Sequence, residues 1–101
     1  MTKQELINEL WADVEQTAKG FRLGIAPECA KDIRDFITVG VDQLEQEGLL
    51  NNHRRIAEAE THLIAFVGGM AHEAKMLNLP MLQEVTFRAA TKSFCPLWPF
   101  C

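Results

Sequence analysis

Apolar residues recur at helical spacing along most of this chain, and the longest unbroken pattern runs over residues 51–77. Ile56, Leu63, Met70 and Leu77 return every seven positions, with Ala59 and Phe66 between them. That 3-4 spacing places apolar side chains on one helix face. A second set, Ile64, Val67, Ala71 and Ala74, lies beside the first. So wide an apolar arc predicts a central helix over 52–77, buried on two sides.

Three further helices follow from the same reading. The first covers 3–19: Thr2 and Glu5 form a capping box, and Leu6, Leu10, Val14 and Ala18 mark a stripe widened by Ile7 and Trp11. Gly20 is its expected left-handed terminator. The second covers 27–47, with Pro27 in the first turn and Glu28 suited to the helix dipole. Its inner face is Ile33, Phe36, Ile37, Val41 and Leu44. Gly48 followed by Leu49 predicts a Schellman ending. The β-branched run 36–41 would also suit a strand. With helical signals on both sides and no second strand to pair with, helix is preferred. Pro80 starts the fourth helix, 80–94, with Leu82, Val85, Ala89, Met81 and Phe94 inward. Asn51 or Asn52 caps the central helix, and Asn78 lies near its end.

The fold class expected is all-α: a four-helix antiparallel bundle in a single domain, 1–101, with an extended aromatic and proline-rich tail, 95–101. No repeat is evident in the pattern. The tail has no charge and holds Pro96, Pro99, Trp98 and Phe100. The prolines keep it extended, and its aromatics call for a groove on the bundle or on a second subunit.

The central helix also carries small residues spaced by four: Ala57, Thr61, Ala65 and Gly69, with Gly68 alongside. Such a ridge admits another backbone closely. Each glycine costs roughly 1 kcal/mol against alanine in a helix interior, and a close helix contact would offset it. A kink or break at the glycine pair is the plainer reading. His62 and His72 flank the ridge.

Composition narrows the function. The 101 residues can bury roughly 60–70 per cent of their unfolded surface. Hydrophobic residues make up 48%, which suits a domain that shares surface with a second copy. A net charge of −4 argues against phosphate-driven nucleic-acid binding, and His53-Arg54-Arg55 is too short for a basic patch. The polar start lacks a signal-peptide core, and the apolar run 63–71 is too short for a membrane span. A cytoplasmic protein with reduced cysteines is therefore expected.

Candidate chemistry is sparse. Cys95 and Cys101 are separated by five residues, two of them proline, unlike a zinc pair. His62 and His72 lie roughly 15 Å apart along one helix, so they meet only across a two-fold axis. Glu58 and His62, four apart, have the spacing to bind a metal together, but an ordinary helix ion pair explains them equally well. Cys29, in the first turn of its helix, is the best-placed thiol, but a small buried hydrophobe is the commoner reading. A phosphotransfer histidine needs a polar neighbourhood, and Leu63 to Phe66 after His62 supply none. There is no phosphate loop or nucleophile elbow. Neither metal nor cofactor is expected.

Two functions remain in view. The leading one is a non-catalytic interaction module that forms a homodimer through the ridge and tail, with a further protein partner as an option. The rival is a small-molecule binder or minor enzyme whose apolar pocket holds Phe66, Met70 and Trp98 with His62 or His72.

Overall fold

The computed structural model describes residues 1–93. In chain order the elements are α1 (Lys3–Gly20), β1 (Gly24–Ile25), α2 (Pro27–Gln46), α3 (His53–Met76), β2 (Met81–Leu82) and α4 (Glu84–Ser93). The tail expected at 95–101, with Trp98 and Phe100, lies outside the described residues.

Local signals set the helix starts. The Glu5 amide donates to Thr2 Oγ1 at 3.1 Å, and the Thr2 amide donates to Glu5 Oε1 at 3.2 Å, completing the capping box of α1. Asn52 Oδ1 accepts from the Arg55 amide at 3.1 Å and caps α3. The run 36–41 is helical within α2, where Ile37, Gly40 and Val41 are buried. Helix α3 continues through Gly68 and Gly69 without a break.

Three helices end by one device. The amides of Leu23, Leu49 and Leu79 donate to the carbonyls of Ala18, Leu44 and Ala74 at 3.0, 2.8 and 2.8 Å. The residue before each leucine donates back to Lys19, Glu45 or Lys75. These are Schellman closures, which need a left-handed residue at the turn. Those residues are Arg22 (φ 61), Gly48 (φ 70) and Asn78 (φ 56). Gly48 matches the sequence expectation. Gly20 does not: it is the last residue of α1, and the left-handed position falls on Arg22. The register is set by Leu23, the apolar residue that packs back on the core, rather than by the nearest glycine.

The fourth helix begins later than Pro80 suggests. Met81 and Leu82 are extended and pair in parallel with Gly24 and Ile25, in register Gly24↔Met81 and Ile25↔Leu82. The Ala26 amide extends the ladder to the Leu82 carbonyl at 2.9 Å. α4 then starts at Glu84. Thr86 Oγ1 accepts from the Gln83 amide at 2.9 Å and donates to the Gln83 carbonyl at 2.6 Å. The later start rotates the buried face. Thr86 and Ala90 point inward, while Val85 is 48% exposed and Ala89 half-buried, contrary to the expected inner face.

Both halves of the described chain follow one plan, helix, Schellman turn, short strand, helix. Ala18-Lys19 and Leu23 in the first half correspond to Ala74-Lys75 and Leu79 in the second. Parallel strands require the halves to lie side by side in the same sense. Accordingly α1 and α3 run in parallel as neighbours. Lys75 Nζ sits 5.2 Å from the Phe21 ring centroid at one end, and the Met1 amine donates to Asn51 Oδ1 at 2.9 Å at the other. α1 packs on α2 and α3, and α4 packs on α3 and α2. The bundle is thus two antiparallel hairpins laid side by side, not a bundle whose neighbours are all antiparallel. The connection 47–52 takes the chain from one hairpin to the other.

The core is continuous across all four helices. Leu6, Leu10, Ile33, Ile37, Leu63, Val67 and Met70 are each no more than 1% exposed. Half-buried Phe36 stacks on the buried Phe66 at 4.8 Å, and half-buried Phe87 meets both edge-on at 6.2 and 5.6 Å. Leu77 is 47% exposed because it lies just beyond the end of α3, and Ile64 is 43% exposed on the helix's outer side. Among the described residues no helix is long and apolar enough to cross a membrane.

Candidate functional site

Two surfaces merit attention: the outer face of α3, which carries the sequence candidates, and a groove between α1 and α2 that the sequence did not announce.

α1 and α4 cover one arc of α3, burying Ile56, Ala59, Leu63, Phe66, Val67, Met70, Ala71 and Ala74. The opposite arc carries Ala57, Thr61, Ala65 and Gly69, all exposed. No described helix presses on this ridge. A Cβ added at Gly68 would meet nothing within 4 Å. The close packing expected of the ridge is therefore absent among the described residues, because both neighbouring helices lie on the other side. Thr61 Oγ1 donates to its own helix, to the Ala57 carbonyl at 3.0 Å, so its polar group is already satisfied. With Ile64 the stripe is uncharged along several turns. Its N-terminal end is held by ion pairs: Arg54 Nε to Glu58 at 3.4 Å and Arg55 Nη1 to Glu58 at 2.6 Å. A shallow depression there is lined by Arg54, Ala57, Glu58, Thr61 and His62.

The histidine pocket is not assembled from the described residues. Phe66 and Met70 are core residues, 1% and 0% exposed. His62 is half-buried and His72 exposed. Trp98 and Phe100 lie outside the described residues. No three His, Cys, Asp or Glu residues among those described gather as a metal would need. Cys29 is 0% exposed, and burial, reinforced by the Asp32 charge, pushes its thiol up to about 12. A thiol so placed is protonated and unreactive near neutrality.

One acidic group on α3 is perturbed. Burial raises the Glu60 pKa first, and the charges of Asp13 and Glu9 on α1 raise it further, with an Asp13 hydrogen bond in the same direction.

The groove lies where α1 ends and α2 begins. Trp11, Glu15, Ala18 and Lys19 form one wall, residues 22–25 close the end, and Ala30 stands opposite. The Arg34 guanidinium lies 4.3 Å from the Trp11 ring centroid, a cation–π contact on the flank of the groove. The one signal of this site in the sequence is Arg22: a long cation at a turn position that glycine fills most readily.

No family model, curated protein or solved structure matches this chain.

Proposed function

We propose that this protein is a non-catalytic helical module that self-associates, two copies meeting through the outer face of α3. The observation that carries the reading is the exposed, uncharged stripe Ala57, Thr61, Ile64, Ala65 and Gly69, with half-buried Gly68 beside it, on the arc of α3 away from the described helices. Glycine at 68 lowers helix propensity, yet nothing in the described fold needs the space. A second backbone seated there would use it, as ridge-into-groove packing of small residues does. Isologous pairing about a two-fold axis brings the same stripe from both copies together and closes the assembly at two.

Light scattering after size exclusion tests this. A dimer at micromolar concentration is expected, and Gly68→Leu, which fills the ridge without touching the core, should shift it to monomer while leaving helicity unchanged. A monomer throughout that range, or a dimer indifferent to Gly68→Leu and Ile64→Asp alike, would reject the reading.

A further inference from the structure

We infer that the groove between α1 and α2 is a binding site for a small organic anion with an apolar body, separate from the α3 face.

The apolar part of the groove is Trp11, Ala18, Leu23, Ile25 and Ala30. The polar part is mainly cationic: Lys19 and Arg22 stand at its rim, with Glu15 one turn back along α1. Among the described residues neither Lys19 nor Arg22 makes an ion pair, a state they share with Arg34, Lys75 and Lys92, so neither charge is already spent on a carboxylate. An apolar floor with a few convergent charged groups is the usual form of a small-ligand site. Two cations against one acid select an anion.

Lys19 alone would need no special account, since a cation in the last turn of a helix suits its dipole. Arg22 does. It adopts φ 61, where a side chain is disfavoured and glycine is not. The other two helix ends that close this way use Gly48 and Asn78, the residue types that tolerate the conformation. Arginine at this turn is the least suitable of the three for the backbone, yet it adds a long cationic residue to the lining of the groove. Strain kept at one turn and avoided at its two counterparts fits a side chain held there for what it contacts. A guanidinium also pairs with a carboxylate in two-pronged fashion, which fits a carboxylate-bearing ligand.

The test uses the full chain and isothermal titration with 2-naphthoate, alongside its neutral amide as control. Saturable binding of the naphthoate is expected, weakened by added salt and at least about fivefold tighter than the amide. Arg22→Gly should raise the melting temperature by relaxing the turn and at the same time weaken naphthoate binding by about fivefold or more. Lys19→Met should weaken binding without the gain in stability. Equal binding of acid and amide, absence of binding at millimolar naphthoate, or affinity unchanged in both variants would overturn the assignment. A purely structural Arg22 would change neither affinity nor the acid-to-amide ratio.

Discussion

The rings of Phe36 and Phe66 stack at 4.8 Å with 11° between their planes, joining α2 to α3. These helices belong to different hairpins, so the stack ties the two halves together. Phe66 is 1% exposed and also meets Phe87 edge-on. Replacing it with alanine leaves a cavity that three helices border. Phe66→Ala should cost about 3–5 kcal/mol in urea denaturation, the range for truncating a buried aromatic. A loss no larger than that of an exposed substitution would show the stack to be unimportant.

Thr86 presents a different kind of dependence. Its hydroxyl is 0% exposed and serves the Gln83 backbone twice, accepting from the amide and donating to the carbonyl. Thr86→Val keeps the shape and removes both bonds. A fully buried amide left without a partner costs about 1–3 kcal/mol, and for the part-buried Gln83 amide a drop of about 1 kcal/mol in chemical denaturation is expected. Thr86→Ser should retain most of the stability.

The Cys29 thiol should resist modification in the folded protein. With its pKa raised from 9.0 to about 12, it stays neutral where a free thiol ionises. In a background lacking Cys95 and Cys101, a thiol-reactive disulfide should label it only after denaturation. The sign of the linked stability follows. Above about pH 9 the unfolded chain releases this proton and the folded chain does not, so stability falls with rising pH through the 9–12 window. Cys29→Ala should remove that part of the alkaline slope, read from denaturant midpoints across the window.

Glu60 should behave as a destabilising charge. Its pKa is raised in the fold, so the folded state binds the proton more tightly than the unfolded state. The penalty is present at neutral pH and disappears as pH falls below the carboxylate's ordinary value of 4.5. Glu60→Gln should therefore stabilise the protein at pH 7, by a few tenths of a kcal/mol given the partial exposure of the site. The difference should vanish in acid. An unchanged or lowered midpoint at pH 7 would contradict the Asp13 and Glu9 repulsion.

Much of the fold was legible because its signals are local. The Thr2–Glu5 box, Pro27 with Glu28, and Gly48 with Leu49 each lie within a few residues, and each stands where the pattern put it. The misplaced helix terminator at Gly20 is a local error, set by Leu23 three residues on, whereas the other errors arise where the deciding interaction lies far off in sequence. Pro80 reads locally as a helix start, but Met81 and Leu82 are held extended by Gly24 and Ile25. That pairing delays α4 and exchanges Val85 for Thr86 on its inner face. The resemblance between halves stayed hidden because few identities carry it, while the shared turn geometry at Arg22 and Asn78 is a backbone property. At the candidate site, spacing revealed a row of small residues but not which arc of α3 faced outward. Nor could Arg22 be linked to Trp11 before the turn after α1 was placed.

The connection 47–52 has a consequence for how copies of this chain can combine. It is the stretch that links two hairpins whose mutual hold is otherwise lateral, through the β1–β2 ladder, the α1–α3 packing and the aromatic stack. Were that stretch to straighten, each hairpin would offer a neighbouring molecule the same partner it holds at home. An exchanged pair built this way repeats interactions already present inside one molecule and needs no new complementarity. Shortening the hinge favours such exchange, and relaxing it with inserted glycines favours self-closure.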